Sequence, residues 1–69
     1  MEKDWVIVYT TNKLYQAELF KRNLGDHDIG AVIINKMDST YRFGEIEVYV
    51  KRDHVLRAKK LATEFDTHE

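Results

Sequence analysis

Sixty-nine residues with 43% apolar and 33% charged content, three Gly, no Pro and no Cys exclude collagen-like and disulfide-scaffold classes and set the scale of one small domain, 1–69. Eleven Lys plus Arg against twelve Asp plus Glu leave a formal net charge of −1, which disfavours a nucleic-acid partner held by phosphate neutralisation. Without cysteine there is no disulfide and no thiolate metal site, so a chain this short is expected to gain stability from tight packing or as a homodimer or other homo-oligomer.

The chain opens on Met1-Glu2-Lys3-Asp4 and then Trp5-Val6-Ile7-Val8-Tyr9, β-branched and aromatic throughout, which predicts a first strand. Five apolar residues are too few for a signal-peptide core or a membrane span, so no membrane association and a cytoplasmic location are expected. Thr11 or Asn12 can accept an N–H from the turn that follows. A helix is predicted from Lys13 to Leu24, stopped by Gly25, with Leu14, Ala17, Phe20 and Leu24 as its core stripe. Tyr15 and Leu19 fall off that stripe, to cap the core edge or to reach a neighbouring chain.

After the turn Asp26-His27-Asp28, the apolar run Ile29 to Asn35 predicts a second strand. From Phe43-Gly44 onward the chain alternates, with Ile46, Val48 and Val50 on one side and Glu45, Glu47, Tyr49 and Lys51 on the other, which predicts a third strand buried on one face. Asp53 offers an N-cap to a second helix whose stripe is Val55, Ala58, Leu61, Ala62 and Phe65. The ordered core is expected over about residues 4–65, and the acidic end, opposed to the helix dipole, is expected to fray.

Strand, helix, strand, strand, helix with a right-handed crossover gives an α+β fold, a ferredoxin-like βαββα arrangement that lacks its final strand. Its three-stranded antiparallel sheet has order 1-3-2, with both helices on one face. The first strand is then a free edge and the other sheet face is uncovered. With Val6 and Val8 toward the helices, the open face carries Trp5, Ile7, Tyr9, Tyr49, Glu45 and Glu47; the opposite register of the first strand is nearly as compatible with the sequence. Trp5, Ile7, Tyr9 and Tyr49 are the candidate oligomer interface, because large apolar patches on small soluble domains mark contact surfaces.

No chemistry-bearing motif emerges. His27, His54 and His68 lack metal-ligand spacing, Gly25, Gly30 and Gly44 form no phosphate loop, and Ser39 has no histidine near it in sequence. No metal, no cofactor and no enzyme activity are expected. The connection Asn35-Lys36-Met37-Asp38-Ser39-Thr40-Tyr41-Arg42 is longer than a minimal hairpin needs and mixes hydrogen-bonding with aromatic groups. Asn35, Lys36, Asp38, Ser39 and Tyr41, with Glu45, Glu47 and Tyr49 on the open face, are the candidate binding residues for a small molecule or a protein partner. Arg42 to Tyr49 superficially resembles the aromatic strand of an RNA-recognition module, but Glu45 and Glu47 would repel phosphate; single-stranded RNA on the open face is the alternative reading, and a small hydrolase using Glu45 or Glu47 a remoter one. Lys51, Arg52, Arg57, Lys59 and Lys60 gather positive charge around the second helix, as a solvated face or toward an acidic partner, with Leu56 its one apolar member.

Val8-Tyr9-Thr10, Ala17-Glu18-Leu19, Ile34-Asn35-Lys36 with Asp38-Ser39 and Tyr41, and above all Phe43-Gly44-Glu45-Ile46-Glu47-Val48-Tyr49-Val50 resemble the small bacterial proteins called putative prokaryotic signal-transducing proteins. The likeness runs from Trp5 to Phe65. It implies a ferredoxin-like fold of the nitrogen-regulatory PII type and, by analogy of fold, a sensing or regulatory role. PII proteins bind nucleotide and effector between subunits with a fourth strand and a long loop; this sequence has no obvious counterpart of either, so none of their ligand residues is carried over.

Overall fold

The computed structural model describes residues 4–36 and 46–67, with side chains through residue 65. Strand β1, Trp5–Thr11, runs two residues past the expected end, because Thr10 and Thr11 are as suited to extended backbone as the residues before them. The Thr11 hydroxyl accepts the Lys13 N–H at 3.1 Å and turns the chain into helix α1, Leu14–Asp26. The same hydroxyl donates to Gln16 Oε1 at 3.0 Å, and the Tyr9 hydroxyl reaches that oxygen at 3.4 Å, so one glutamine ties the strand end to the first helical turn.

Gly25 does not stop α1. The helix passes through it to Asp26, and the reversal falls at Asp28, the residue with φ of 62°. Aspartate is one of the few L-residues whose short polar side chain tolerates this left-handed conformation. The Asp28 N–H donates to Gly25 O and the Ile29 N–H to Leu24 O, satisfying carbonyls left open by the helix end, and Ile29 is thereby driven into the core. Strand β2 begins only afterwards, at Ala31–Asn35.

Strand β3, Ile46–Lys51, pairs antiparallel with both β1 and β2, giving the expected order β1-β3-β2. A 3-10 turn, Arg52–His54, leads directly into helix α2, Val55–Thr67, fastened by the Arg52 N–H to Asp4 O at 2.7 Å. Asp53 lies inside that turn and is not the isolated N-cap expected of it. Both helices pack on one face: Ala17, Phe20 and Leu24 of α1 and Ala58 and Ala62 of α2 share a single core with Ile46, Val48 and Val50 of β3.

One position departs from the helical stripes read in sequence. Leu14, one turn ahead of Ala17, is 45% exposed and outside the core. Tyr15 and Leu19 also stand at the surface of α1. In α2, Phe65 packs against the core at the end of the expected stripe. Its ring lies 5.6 Å from Tyr9 in an edge-on contact and 5.4 Å from Phe20, and the helix continues to Thr67.

The register of β1 changes midway. Val6 faces Val50 and Ile7 faces Tyr49 across the ladder, but the next pair is Tyr9 with Val48, leaving Val8 as a bulge. One inserted residue reverses the alternation, so Val6 points toward the helices before the bulge, and Tyr9 and Thr11 after it. Tyr9 is therefore not on the open face and not available as an interface residue: it is 8% exposed and its ring centroid lies 4.8 Å from that of Phe20. Each of the two registers open to the sequence holds for one half of the strand.

Candidate functional site

The sheet face opposite the helices is ordered by register into three rows. Trp5 lies beside Lys51; Ile7, Tyr49 and Val32 form the middle row; Thr10, Glu47 and Ile34 form the third. Trp5 and Ile7 keep the positions expected of them. Val32 and Ile34 complete the surface and were not singled out from sequence, because Val32-Ile33-Ile34 is apolar at both parities. That two-sided pattern is itself the signal of a strand with contacts on both faces.

On the central strand, in the third row, Glu47 is 9% exposed although neither α1 nor α2 covers this side. Its Oε1 accepts the Tyr49 hydroxyl at 2.8 Å and the Lys36 ammonium at 3.0 Å. Glu47 and Tyr49 meet because residues two apart on a strand share a face. Lys36 follows β2 at the parity of Ile34 and reaches across to the same oxygen. The Tyr49 hydrogen bond first, and then the Lys36 hydrogen bond and charge, hold the Glu47 carboxyl below its ordinary value of 4.5 against the upward pull of burial. The hydrogen bond to Glu47 correspondingly raises Tyr49 above 10.0, with burial adding to it. A carboxyl stabilised as the anion and engaged by two donors suits recognition and ion pairing; delivering a proton would require the opposite shift. Above the Trp5 ring, the Lys51 Nζ stands 5.3 Å from the centroid, a cation–π contact at the end of the face.

The structure thus brings Lys36, Glu47 and Tyr49 together, with Trp5 and Ile7 on the same face. Asn35 separates from them: it pairs with Ile46, at a register position of the helical side. Asp38, Ser39, Tyr41 and Glu45 lie outside the described residues. Among the described residues no group of three or more His, Cys, Asp or Glu is placed to hold a metal ion, and no helix is long and apolar enough to cross a membrane.

No curated protein matches the chain, and no solved structure does. A family model described as putative prokaryotic signal transducing protein matches residues 5–66, a span that takes in every row of the open face, α1 and all of α2 but its last residue. With that match over nearly its whole length, the chain belongs to the putative prokaryotic signal-transducing protein family.

Proposed function

We propose that the domain is a non-enzymatic signalling or regulatory module, a cytoplasmic homo-oligomer that binds a small ligand or protein partner through the open sheet face and the adjoining segment 35–42. One observation carries this reading: Trp5, Ile7, Val32, Ile34 and Tyr49 share a face with a carboxylate held in place by Tyr49 and Lys36, on the side of the sheet that neither helix covers. Such a surface combines apolar area with a fixed polar anchor, the composition of a recognition site. The ionised state of Glu47 favours binding over acid catalysis. The kinship with signal-transducing proteins agrees with a binding role without naming the ligand.

Light scattering and a thermal-shift screen against nucleotides and metabolites test the proposal. The wild type is expected to be oligomeric at micromolar concentration and Ile7→Lys to shift it toward monomer. A ligand at about 100 times its Kd should add roughly 2.7 kcal/mol of stability. A monomer at every concentration, stabilised by no ligand in the screen, would sink this reading.

A further inference from the structure

The outer edge of β1 lies apart from the open face and has its own groove. Among the described residues, in the sheet order β1-β3-β2, β1 has a neighbour on one side only, so alternate backbone N–H and C=O groups face away from the sheet. Beside that edge runs α2. The edge residues Ile7 to Thr10 and the helix residues Lys59, Ala62 and Thr63 enclose a groove of about 460 Å³. Its length along the strand is roughly 13 Å, taking about 3.3 Å per residue. One wall is therefore backbone hydrogen-bonding capacity, the other is small side chains, and a lysine stands at the rim.

We propose that this groove receives an extended acidic peptide segment of a partner protein, added as a fourth strand beside β1. Main-chain pairing supplies affinity in such strand addition, and the alternate side chains supply selectivity. Residues of the incoming strand that point toward the helical layer meet Ala62 and Thr63, whose size leaves room for valine-like side chains; those that point the other way lie along Ile7 and Thr10. Lys59 sets the charge. It is exposed, and among the described residues no carboxylate pairs with it. A second copy of the chain is the poorer occupant. The seven residues of its β1, Trp5–Thr11, carry no carboxylate to offer Lys59, and pairing two bulged edges would set one Val8 bulge against the other.

Fluorescence anisotropy with labelled nonapeptides tests this on the full chain. The probes are an alternating Val/Thr peptide with glutamates at two Val positions, the side that faces Lys59, its lysine counterpart, and the glutamate peptide N-methylated at alternate residues. The glutamate peptide is expected to bind, the lysine peptide to bind about fivefold more weakly, and the N-methylated peptide not to bind. Lys59→Glu, at an exposed position, should reverse the charge preference, and the amides of Ile7 to Thr10 should gain hydrogen-exchange protection when the glutamate peptide is added. No binding at millimolar peptide, equal binding of the two charge variants, or β1 amides protected in a concentration-dependent way without peptide, the mark of a second copy on the edge, would each overturn the proposal.

Discussion

The two faces of β3 place alternate residues of one strand in opposite circumstances. Ile46, Val48 and Val50 are fully buried against two helices, and their surroundings are hydrocarbon. Glu47 and Tyr49 lie between them in sequence, yet they look onto a face where order comes from a hydrogen bond and an ion pair. The helical face is where the domain obtains its stability, since apolar burial and close packing dominate folding energetics. The open face contributes little to that core and retains the chemistry. On this division the helical face holds the fold, and the other face carries Glu47 and Tyr49 with their polar contacts.

Breaking the helical face should have the largest consequences. Phe20 is fully buried and touches both Tyr9 and Phe65, so Phe20→Ala is expected to destabilise by about 3–5 kcal/mol. In so small a domain that loss approaches the whole stability, and denaturant titration should show the transition displaced to near zero denaturant. The bulge at Val8 offers a sharper contrast, because two residues on one strand then answer differently to the same substitution. Tyr9→Lys places a charge in the aromatic cluster and should cost roughly 3 kcal/mol or more. Ile7→Lys, at a site already 38% exposed, should change monomer stability by about 1 kcal/mol or less while altering the oligomeric state. Equal losses at the two positions would show that β1 does not switch faces.

The open face should reveal itself in pH dependence. Glu47 has a folded-state pKa below its ordinary 4.5, so the unfolded chain binds more protons through that range and stability rises with pH there. Its contribution is present above about 4.5 and lost as the pH falls through the folded value. Tyr49 has the opposite sign: with its pKa raised above 10.0, the contribution of its neutral form is present below 10.0 and lost as the pH rises through the folded value. Denaturant midpoints measured from pH 3 to 11 should therefore show wild type ahead of Glu47→Gln between these limits and the two converging at acid pH. Parallel curves across the acid limb would mean that the carboxylate is not held by Tyr49 and Lys36.

The division between faces was legible in β3 and much less so in its neighbours, for physical reasons. Strict alternation from Ile46 to Val50 matches a strand with one buried face, and connection rules then order the sheet. β1 is apolar at both parities, so nothing in its pattern marks Val8 as an inserted residue, and the position of Tyr9 follows only once the pairing with Val48 is seen. Glu47 and Tyr49 could be placed on one face by counting, whereas the hold of Lys36 on Glu47 depends on a contact between residues eleven apart in the chain. Asn35 was grouped with Lys36 by sequence proximity, but one step along a strand reverses the face. Leu56 illustrates the converse: it is 85% exposed, as its place outside the α2 stripe implied.

The smallest effect lies on the far side of the helical layer, where water and backbone conformation replace packing against the sheet. Glycine after an apolar stripe commonly ends a helix by adopting positive φ, and Ala at such a position is strained. In this chain Gly25 has helical backbone and Asp28 carries the positive φ, while a Cβ built on Gly25 meets nothing within 4 Å. Replacing an unstrained helical glycine removes conformational freedom from the unfolded chain and adds no clash, so Gly25→Ala should stabilise by about 0.5–1 kcal/mol. Were Gly25 the left-handed terminator, the same substitution would destabilise by about 1 kcal/mol. The sign of the midpoint shift therefore decides where α1 ends, and with it how Ile29 is delivered from the helical layer into the core.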